Sequence, residues 1–423
     1  MKFSALLHKL EKLLKIDVRY VLSGGFWLTF GQVVSAITGL ALSIIFARLL
    51  PKETYGNYKF ITSIFGMIAI TSIPGLGAAV TQAVVKKHDN TIYTAIKTRI
   101  RWGLLGALAS IGTAIYFYAK SNIDFAIIFG AAALFLPFMD SLNTYDCLLQ
   151  GRKDFKKSNI LYSIGQLIVL AAIAATVVVT KNIVWITISY IASWTLVRGA
   201  FFLYIKKDIN KDSSSDASAI TYGKHLSLMS VLATLTGQLD KVLAFHFLGA
   251  AQMAIYAFAI ALPEQVRVIL ANINTLLFPK FVQHDDRVIH GAMRNKFIKL
   301  FIFSSAIVGC YIISAPFVFK ILFPKYLDSV RYSQVFALSM LNLTFTPATV
   351  YLQAKKKVKH MYIGNIITPL FQITTMVVGI IWYGLMGLII ARVLTRFFGS
   401  LFNLFLYQKS KDIDMTEQSA QSI

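Results

Sequence analysis

Residues 206–223, KKDINKDSSSDASAITYG, are the longest polar stretch inside an otherwise apolar chain of 423 residues. The segment is low in complexity and has no apolar periodicity, so it reads as a linker. On either side the sequence resolves into hydrophobic runs of about 20 residues, the length that crosses ~30 Å of hydrocarbon. Six are expected before the linker, near 22–49, 58–84, 100–119, 124–149, 158–180 and 183–205. Six more are expected after it, near 223–248, 252–279, 297–319, 328–352, 360–382 and 385–407. Composition agrees: 56% of residues are hydrophobic and 14% charged, against about 25% charged in soluble domains. The expected fold is an all-α polytopic membrane protein of about twelve transmembrane helices, two six-helix lobes around a central cavity. The expected division is 1–20, 21–205, 206–222, 223–408 and 409–423: an interfacial helix, a first lobe, a cytoplasmic linker, a second lobe and a cytoplasmic tail.

Basic residues orient the chain. Lys2, Lys9, Lys12, Lys15 and Arg19 precede the first run, and Lys86, Lys87, Lys97, Arg99 and Arg101 follow the second. Arg152, Lys153, Lys156 and Lys157 follow the fourth, Lys206, Lys207 and Lys211 the sixth. Lys280, Arg287, Arg294, Lys296 and Lys299 follow the eighth, and Lys355, Lys356, Lys357 and Lys359 the tenth. By the positive-inside rule these loops and both termini are expected to be cytoplasmic. The net charge of +23 is then mainly a topology signal, spread over short loops and tails, and not a nucleic-acid surface. In MKFSALLHKLEKLLKIDVRY, residues 1–20, leucines recur at helical spacing opposite lysines. That pattern fits an amphipathic helix on an anionic leaflet better than a signal peptide. Cys147 and Cys310, the two cysteines, both fall within runs and supply neither a disulfide framework nor a metal cluster.

A shift of 198 residues lays FARLLPKETYGNYKF on AFHFLGAAQMAIYAF, matching Leu50 with Leu248, Pro51 with Gly249 and Tyr58 with Tyr256. A parallel repeat of this kind is one transporter architecture, with substrate sites between the halves.

Charges inside apolar runs are costly and need a partner or a watery cavity. Asp240 and Lys241 stand side by side in the seventh run, and adjacent helical residues point about 100° apart, so they look in different directions. Glu264 and Arg267 are three apart and can pair locally, whereas Arg392 and Arg396, four apart, put two like charges on one face. Such a pair needs anions, from protein carboxylates or from substrate, and the arginine fork suits bidentate phosphate contacts. Arg48 lies at the outer end of run one, Arg198 near the inner end of run six, and Asp140 and Asp146 in run four, where Ser, Asn or backbone groups can cap them. His246 reads as a packed or interfacial imidazole. Pro74, Pro137, Pro263, Pro316, Pro347 and Pro369 can loosen helices. No phosphate-binding loop appears, since GKHL at 223–226 lacks the required glycine and hydroxyl residue.

The chain resembles the Wzx-type polysaccharide-biosynthesis flippases of the multidrug/oligosaccharidyl-lipid/polysaccharide exporter superfamily. The resemblance rests on ARLLPKETYGNY, GLGAAVTQAVVKK, LLQGRKDFKKSNI, LDKVLAFHFLG and FPKYLDSV, in that order along one chain. It implies that an oligosaccharide on undecaprenyl pyrophosphate, for O-antigen or a related polymer, moves from the cytoplasmic to the periplasmic leaflet of the bacterial inner membrane. It implies a secondary transporter, not an enzyme, without cofactor, H⁺ or Na⁺ being the candidate coupling ion. The implied partners are the lipid-linked oligosaccharide, membrane lipids, a polysaccharide polymerase and a chain-length regulator, and no nucleic acid. Under that reading Arg48, Lys241, Arg267, Arg392 and Arg396 are the candidate pyrophosphate-binding residues, and Asp240, Glu264 and Asp140 the candidate ion-coupling residues. Tyr145, Gln238, Asn272, Asn274, Asn342 and Gln372 are candidates for sugar contacts. A cation-coupled multidrug exporter of the same superfamily is the alternative, for which an acid-rich cavity is expected. A membrane polymerase or ligase would need a large outer loop, and a channel or scaffold gives no reason for paired arginines.

Overall fold

The structure is a computed structural model and describes residues 18–210, 213–271, 281, 286–355 and 358–421. The amphipathic segment proposed at 1–20 lies almost wholly outside the described residues, as do Asn272 and Asn274. The described regular elements are helices, the structure that satisfies its own backbone groups inside lipid. The first half of the chain comprises α1 (Val18–Leu49), α2 (Lys52–Ile68), α3 (Leu76–Val85), α4 (Thr91–Ala119), α5 (Ile123–Leu142), α6 (Tyr145–Gly151), α7 (Phe155–Val179) and α8 (Ile183–Ile205). It continues with α9 (Ala217–Ala271), α10 (Asp286–Leu322), α11 (Ser329–Ala337), α12 (Thr346–Ala354) and α13 (Val358–Gln421). Side-chain caps start several of them: Asn122, Asp154 and Asn182 accept from the amides of Phe125, Lys157 and Val184 at 3.1, 3.0 and 2.7 Å. Asp216 does the same for α9, and the Ser218 hydroxyl holds its carboxyl below the ordinary aspartate range.

Among the described residues nine helices are long and apolar enough to cross a bilayer, or ten counting a bent pair. Two of these are double crossings. In α9, Gly249 adopts φ 82°, ψ 175°, and in α13 Gly384 adopts φ 55°, ψ −135°, conformations open to glycine. Both helices fold back there. Tyr256 donates to Asp240 at 2.5 Å, although 16 residues of straight helix would hold them about 24 Å apart. A Cβ on Gly379 would lie 2.6 Å from the Gly387 carbonyl oxygen, across the other hairpin. Counting each hairpin twice brings ten spans to the expected twelve.

The second expected span is not one helix. α2 passes through a 3-10 turn at Ala69–Ser72, and a 47° bend separates it from α3. Ile73 stands at φ 51° before Pro74, which has no amide hydrogen to continue the ladder. Similarly, the tenth span runs from α11 through a 3-10 stretch, Leu338–Phe345, into α12.

The chain forms two compact units, 1–50 with 65–231 and 51–64 with 232–423. α2 therefore gives residues 52–64 to the second unit and only 65–68 to the first. In the first unit α4 lies along α5, α5 on α8 and α1 on α7. Ile73, Leu76, Val80, Tyr145, Leu148, Leu161, Ile205 and Ile220 close its core. The 206–222 segment is not free chain where it is described. Ser213, Ser214 and Ser215 bond to Asn90, His88 and Thr94, and the Asp216 amide donates to Thr91 at 2.8 Å. In the second unit Phe281, Met293, Ala348, Tyr351, Leu406 and Tyr407 form one core, and Val308, Ala337, Met340 and Leu343 another. Outward-facing Leu108, Val179, Ile313 and Trp382 are exposed, as a lipid-facing surface requires.

Candidate functional site

The second unit buries a network of charged side chains. Asp240, on the first arm of α9, is 0% exposed. Its Oδ2 accepts from the Tyr256 hydroxyl and from Arg392 Nη1, both at 2.5 Å. Arg392 Nη2 reaches Glu264 Oε1 at 3.1 Å, Arg396 Nη2 donates to the same oxygen, and Arg396 Nη1 donates to Ser339 Oγ at 2.8 Å. Arg267 Nε closes on Glu264 Oε2 at 2.8 Å. Local geometry explains the arrangement. The Gly249 hairpin brings Asp240 and Glu264 to one side, helical spacing stacks Arg392 on Arg396, and both guanidiniums lie over the Phe336 ring, at 5.7 and 4.7 Å.

Lys241 points elsewhere, donating to Gln238 Oε1 at 2.7 Å. Lys59, on the first half of α2, lies over the Tyr55 ring at 5.4 Å. Around these groups Gln372 Nε2 donates to the Thr236 carbonyl at 3.1 Å, and Thr375 meets Thr395 at 3.3 Å. Three arginines (Arg267, Arg392 and Arg396) thus share two carboxylates (Asp240 and Glu264), while Lys241 rests on an amide oxygen. Desolvated ion pairs survive only with such additional hydrogen bonds.

The first unit holds a separate, smaller cluster. Arg198 Nη1 pairs with Asp140 Oδ1 at 2.8 Å and also meets the Met139 carbonyl at 2.9 Å. Arg99 donates to the Asp140 carbonyl at 3.2 Å, Thr144 Oγ1 at 2.9 Å and the Pro74 carbonyl at 3.4 Å. It thereby satisfies backbone oxygens beside the bend between α2 and α3.

The structure corrects one sequence expectation and gives places to the other residues. Arg99 is not a loop cation: α4 begins at Thr91, so Arg99 is a helical residue only 6% exposed. Asp140 is held mainly by Arg198 at 2.8 Å, with the Ser72 hydroxyl at 3.5 Å as the expected small polar cap, and Asp146 meets Ser158. His246 is exposed and edge-on to Phe247. Arg48 is exposed, in the first unit, whereas Lys241, Arg267, Arg392 and Arg396 belong to the second. Asp240 and Glu264 join that second-unit network, while Asp140 belongs to the first. Among the other candidates, Gln238 and Gln372 lie in the second-unit network and Tyr145 is in the core of the first. Lys59 is the residue sequence reading missed. It stands within the expected 58–84 run, and an isolated lysine near a span end carries little signal. Among the described residues no group of three or more His, Cys, Asp or Glu side chains is placed to hold a metal ion.

Comparison with known proteins places this geometry. The sequence profile of the polysaccharide biosynthesis protein family matches residues 21–285. No curated protein sequence matches. Among solved structures, the lipid II flippase MurJ in an inward closed conformation superposes with a TM-score of 0.68 at 14% identity, covering 91% of this chain and 87% of that one. An inward-facing multidrug resistance MATE family transporter of the MOP superfamily gives 0.63 at 15%, covering 90% and 95%. A MOP superfamily transporter from Pyrococcus furiosus, reported with a binding pocket of reverse polarity, gives 0.62 at 15%, covering 93% and 95%. At these identities the likeness concerns the fold.

Proposed function

We propose, from the premise that the chain belongs to the polysaccharide biosynthesis protein family, that it is a flippase for a lipid-linked oligosaccharide. The cargo of this reading is a sugar unit on undecaprenyl pyrophosphate, carried from the cytoplasmic to the outer leaflet of the bacterial inner membrane, O-antigen being one such product. Both termini are cytoplasmic in this reading, and a polymerase with its chain-length regulator receives the unit on the far side. Supporting it is the excess of basic over acidic side chains in the described second-unit network, where Lys241, Arg267, Arg392 and Arg396 stand with Asp240 and Glu264. A multidrug exporter for organic cations would favour the opposite balance.

The residues suggest how work is divided. Asp240 and Glu264 already carry arginine counter-ions, so they keep the network neutral enough to bury, while the unmatched positive charge attracts an anionic headgroup. Arg392 and Arg396 share Glu264 as a bridge between α9 and α13, so a phosphate competing for them would loosen one helix pair from another. Outward movement of a diphosphate is driven by an inside-negative potential, by about 2.3 kcal/mol per charge per 100 mV. The potential can bias export without ATP. If H⁺ or Na⁺ counterflows as well, Asp240, Glu264 and Asp140 are the carboxylates to receive it, and at the first two it competes with arginine.

Cells depleted of the protein are expected to accumulate lipid-linked oligosaccharide on the cytoplasmic leaflet and to lose surface polymer, measured by lipid extraction and polymer immunoblot. Normal polymer with no accumulation would refute the reading.

A further inference from the structure

In the first unit α4 and α9 start side by side, where the Thr91 hydroxyl accepts from the Asp216 amide at 2.8 Å. Farther along, each helix is pinned to a different point of the bent segment between α2 and α3. A Cβ on Gly106 of α4 would lie 2.4 Å from Thr71 Oγ1, so α4 meets the 3-10 turn closely. On α9, a Cβ on Gly223 would lie 2.9 Å from the Leu76 Cα, and Ser227 Oγ accepts from the Gly75 amide at 2.9 Å. These anchor points flank the bend at Ile73, which keeps the two helices from closing on each other. A groove of about 390 Å³ lies between them, within the range of small-ligand sites, about 300–1,000 Å³.

The groove is apolar and its hydroxyls are spent. Ile70, Thr71 and Ile73 form the floor, Trp102 and Leu105 one wall, and Leu228 and Val231 the other. Thr71 donates to the Ile68 carbonyl and Ser227 to the Gly223 carbonyl, both at 2.8 Å. Neither hydroxyl keeps its hydrogen for water, and a recess lined in this way stays dry. Trp102, Leu105 and Leu228 are 44%, 50% and 72% exposed, so the groove opens on the surface that meets lipid. One end differs from the rest. Lys224 lies over the Trp102 ring at 5.9 Å, His225 lines the groove beside it, and none of the lining residues is acidic. Exposed Lys97 and Arg101 precede Trp102 on α4, adding positive charge at this end. A tryptophan beside basic residues is the usual arrangement at headgroup level.

We propose that this groove seats one acyl chain of an anionic phospholipid, with Lys224 meeting the headgroup phosphate. A recess that is dry, open to lipid and basic at one end matches a hydrocarbon chain that ends in a negative charge. A soluble anion would leave the apolar walls uncovered. The assignment goes beyond the flippase reading and holds for any cargo. The seated chain packs against Ile70, Thr71 and Ile73, so a membrane lipid supports the break in the second span.

The test uses the full chain in phosphatidylcholine nanodiscs doped with phospholipid brominated on its acyl chains, bromine being a contact quencher of tryptophan. Subtracting the emission of Trp102→Phe, which retains a ring, from that of wild type isolates Trp102. Brominated phosphatidylglycerol is expected to quench Trp102 at a mole fraction about fivefold lower than brominated phosphatidylcholine, the bias one lysine gives toward an anionic headgroup. Lys224 is exposed, so its variants keep the fold. Lys224→Gln should abolish the preference and Lys224→Arg should keep it. Val231→Phe, which fills the groove from the α9 wall, should reduce quenching by both lipids. Equal quenching by the two lipids in wild type, or a preference unchanged in Lys224→Gln, overturns the site and leaves ordinary contact with surrounding lipid. Relief of quenching by undecaprenyl phosphate but not by unlabelled phosphatidylglycerol overturns it too, because the groove would then hold a polyprenyl tail.

Discussion

The two units bury charge in different ways. In the first, the hydrogen bonds of Arg99 and Arg198 go mostly to backbone carbonyls and a hydroxyl, with Asp140 as the carboxylate that Arg198 pairs with. These charges brace helix ends and a bend. In the second, arginines and carboxylates from distant parts of the chain bind one another, and lysines are left over. A buried charge that satisfies backbone groups is structural, whereas a network with surplus charge of one sign is suited to receive the other sign. Position in a membrane span does not by itself mark a functional residue; its partners do.

The comparison can be broken by substitution. The largest effect is expected for Arg392→Ala, which leaves Asp240, fully buried, with only the Tyr256 hydroxyl. Breaking a buried pair in this way costs about 3–5 kcal/mol, so protein level in membranes should collapse. Adding Asp240→Asn should recover much of the level, and failure to do so would show that the pair is not the cause. Removing Arg392 and Arg396 together is for the same reason a poor probe of substrate binding, since Asp240 loses its only arginine and Glu264 keeps Arg267 alone.

A smaller loss is expected for Arg99→Leu, which leaves buried acceptors at Thr144 and beside the bend without a donor, at about 1–3 kcal/mol for each group fully deprived. Thermal unfolding in detergent should fall, while binding of pyrophosphate to the variant that remains folded should match wild type. Reduced binding at full folding would mean that the first unit also holds the anion. Smaller again is Arg198→Gln, because the Asp140 side chain is 29% exposed and water can replace part of the pair. The smallest is Asn182→Ala, the loss of one helix cap at the end of α8 opposite Arg198, worth about 0.5–2 kcal/mol. It should shift unfolding slightly and leave polymer assembly unchanged, and a change in assembly would mean that stability alone controls output.

Much of this was legible in the sequence. Hydrophobic length and alternating basic loops gave the spans, and the 198-residue shift set Pro51 against Gly249, which are respectively the junction of α1 with α2 and the break inside α9. Glu264 and Arg267 paired as their spacing suggested. What was not legible is nonlocal. Asp240 meets Arg392 across 152 residues, and no periodicity reports on that. Arg99 looked like a loop cation because α4 starts about two turns before the apolar run does. The bend at Ile73 needed the backbone itself, although Pro74 was a hint. Lys59 acquires a place only once its ammonium is seen over the Tyr55 ring.

The central claim is that this chain moves a pyrophosphate-linked oligosaccharide lipid across the bilayer. The direct measurement is reconstitution in liposomes with a fluorescent undecaprenyl-pyrophosphate-linked oligosaccharide, scored by its accessibility to a membrane-impermeant quencher. Transfer well above protein-free liposomes, and faster when the starting side is made electrically negative, is the predicted result. Transfer no faster than in protein-free liposomes, from a folded wild-type protein, would contradict the account.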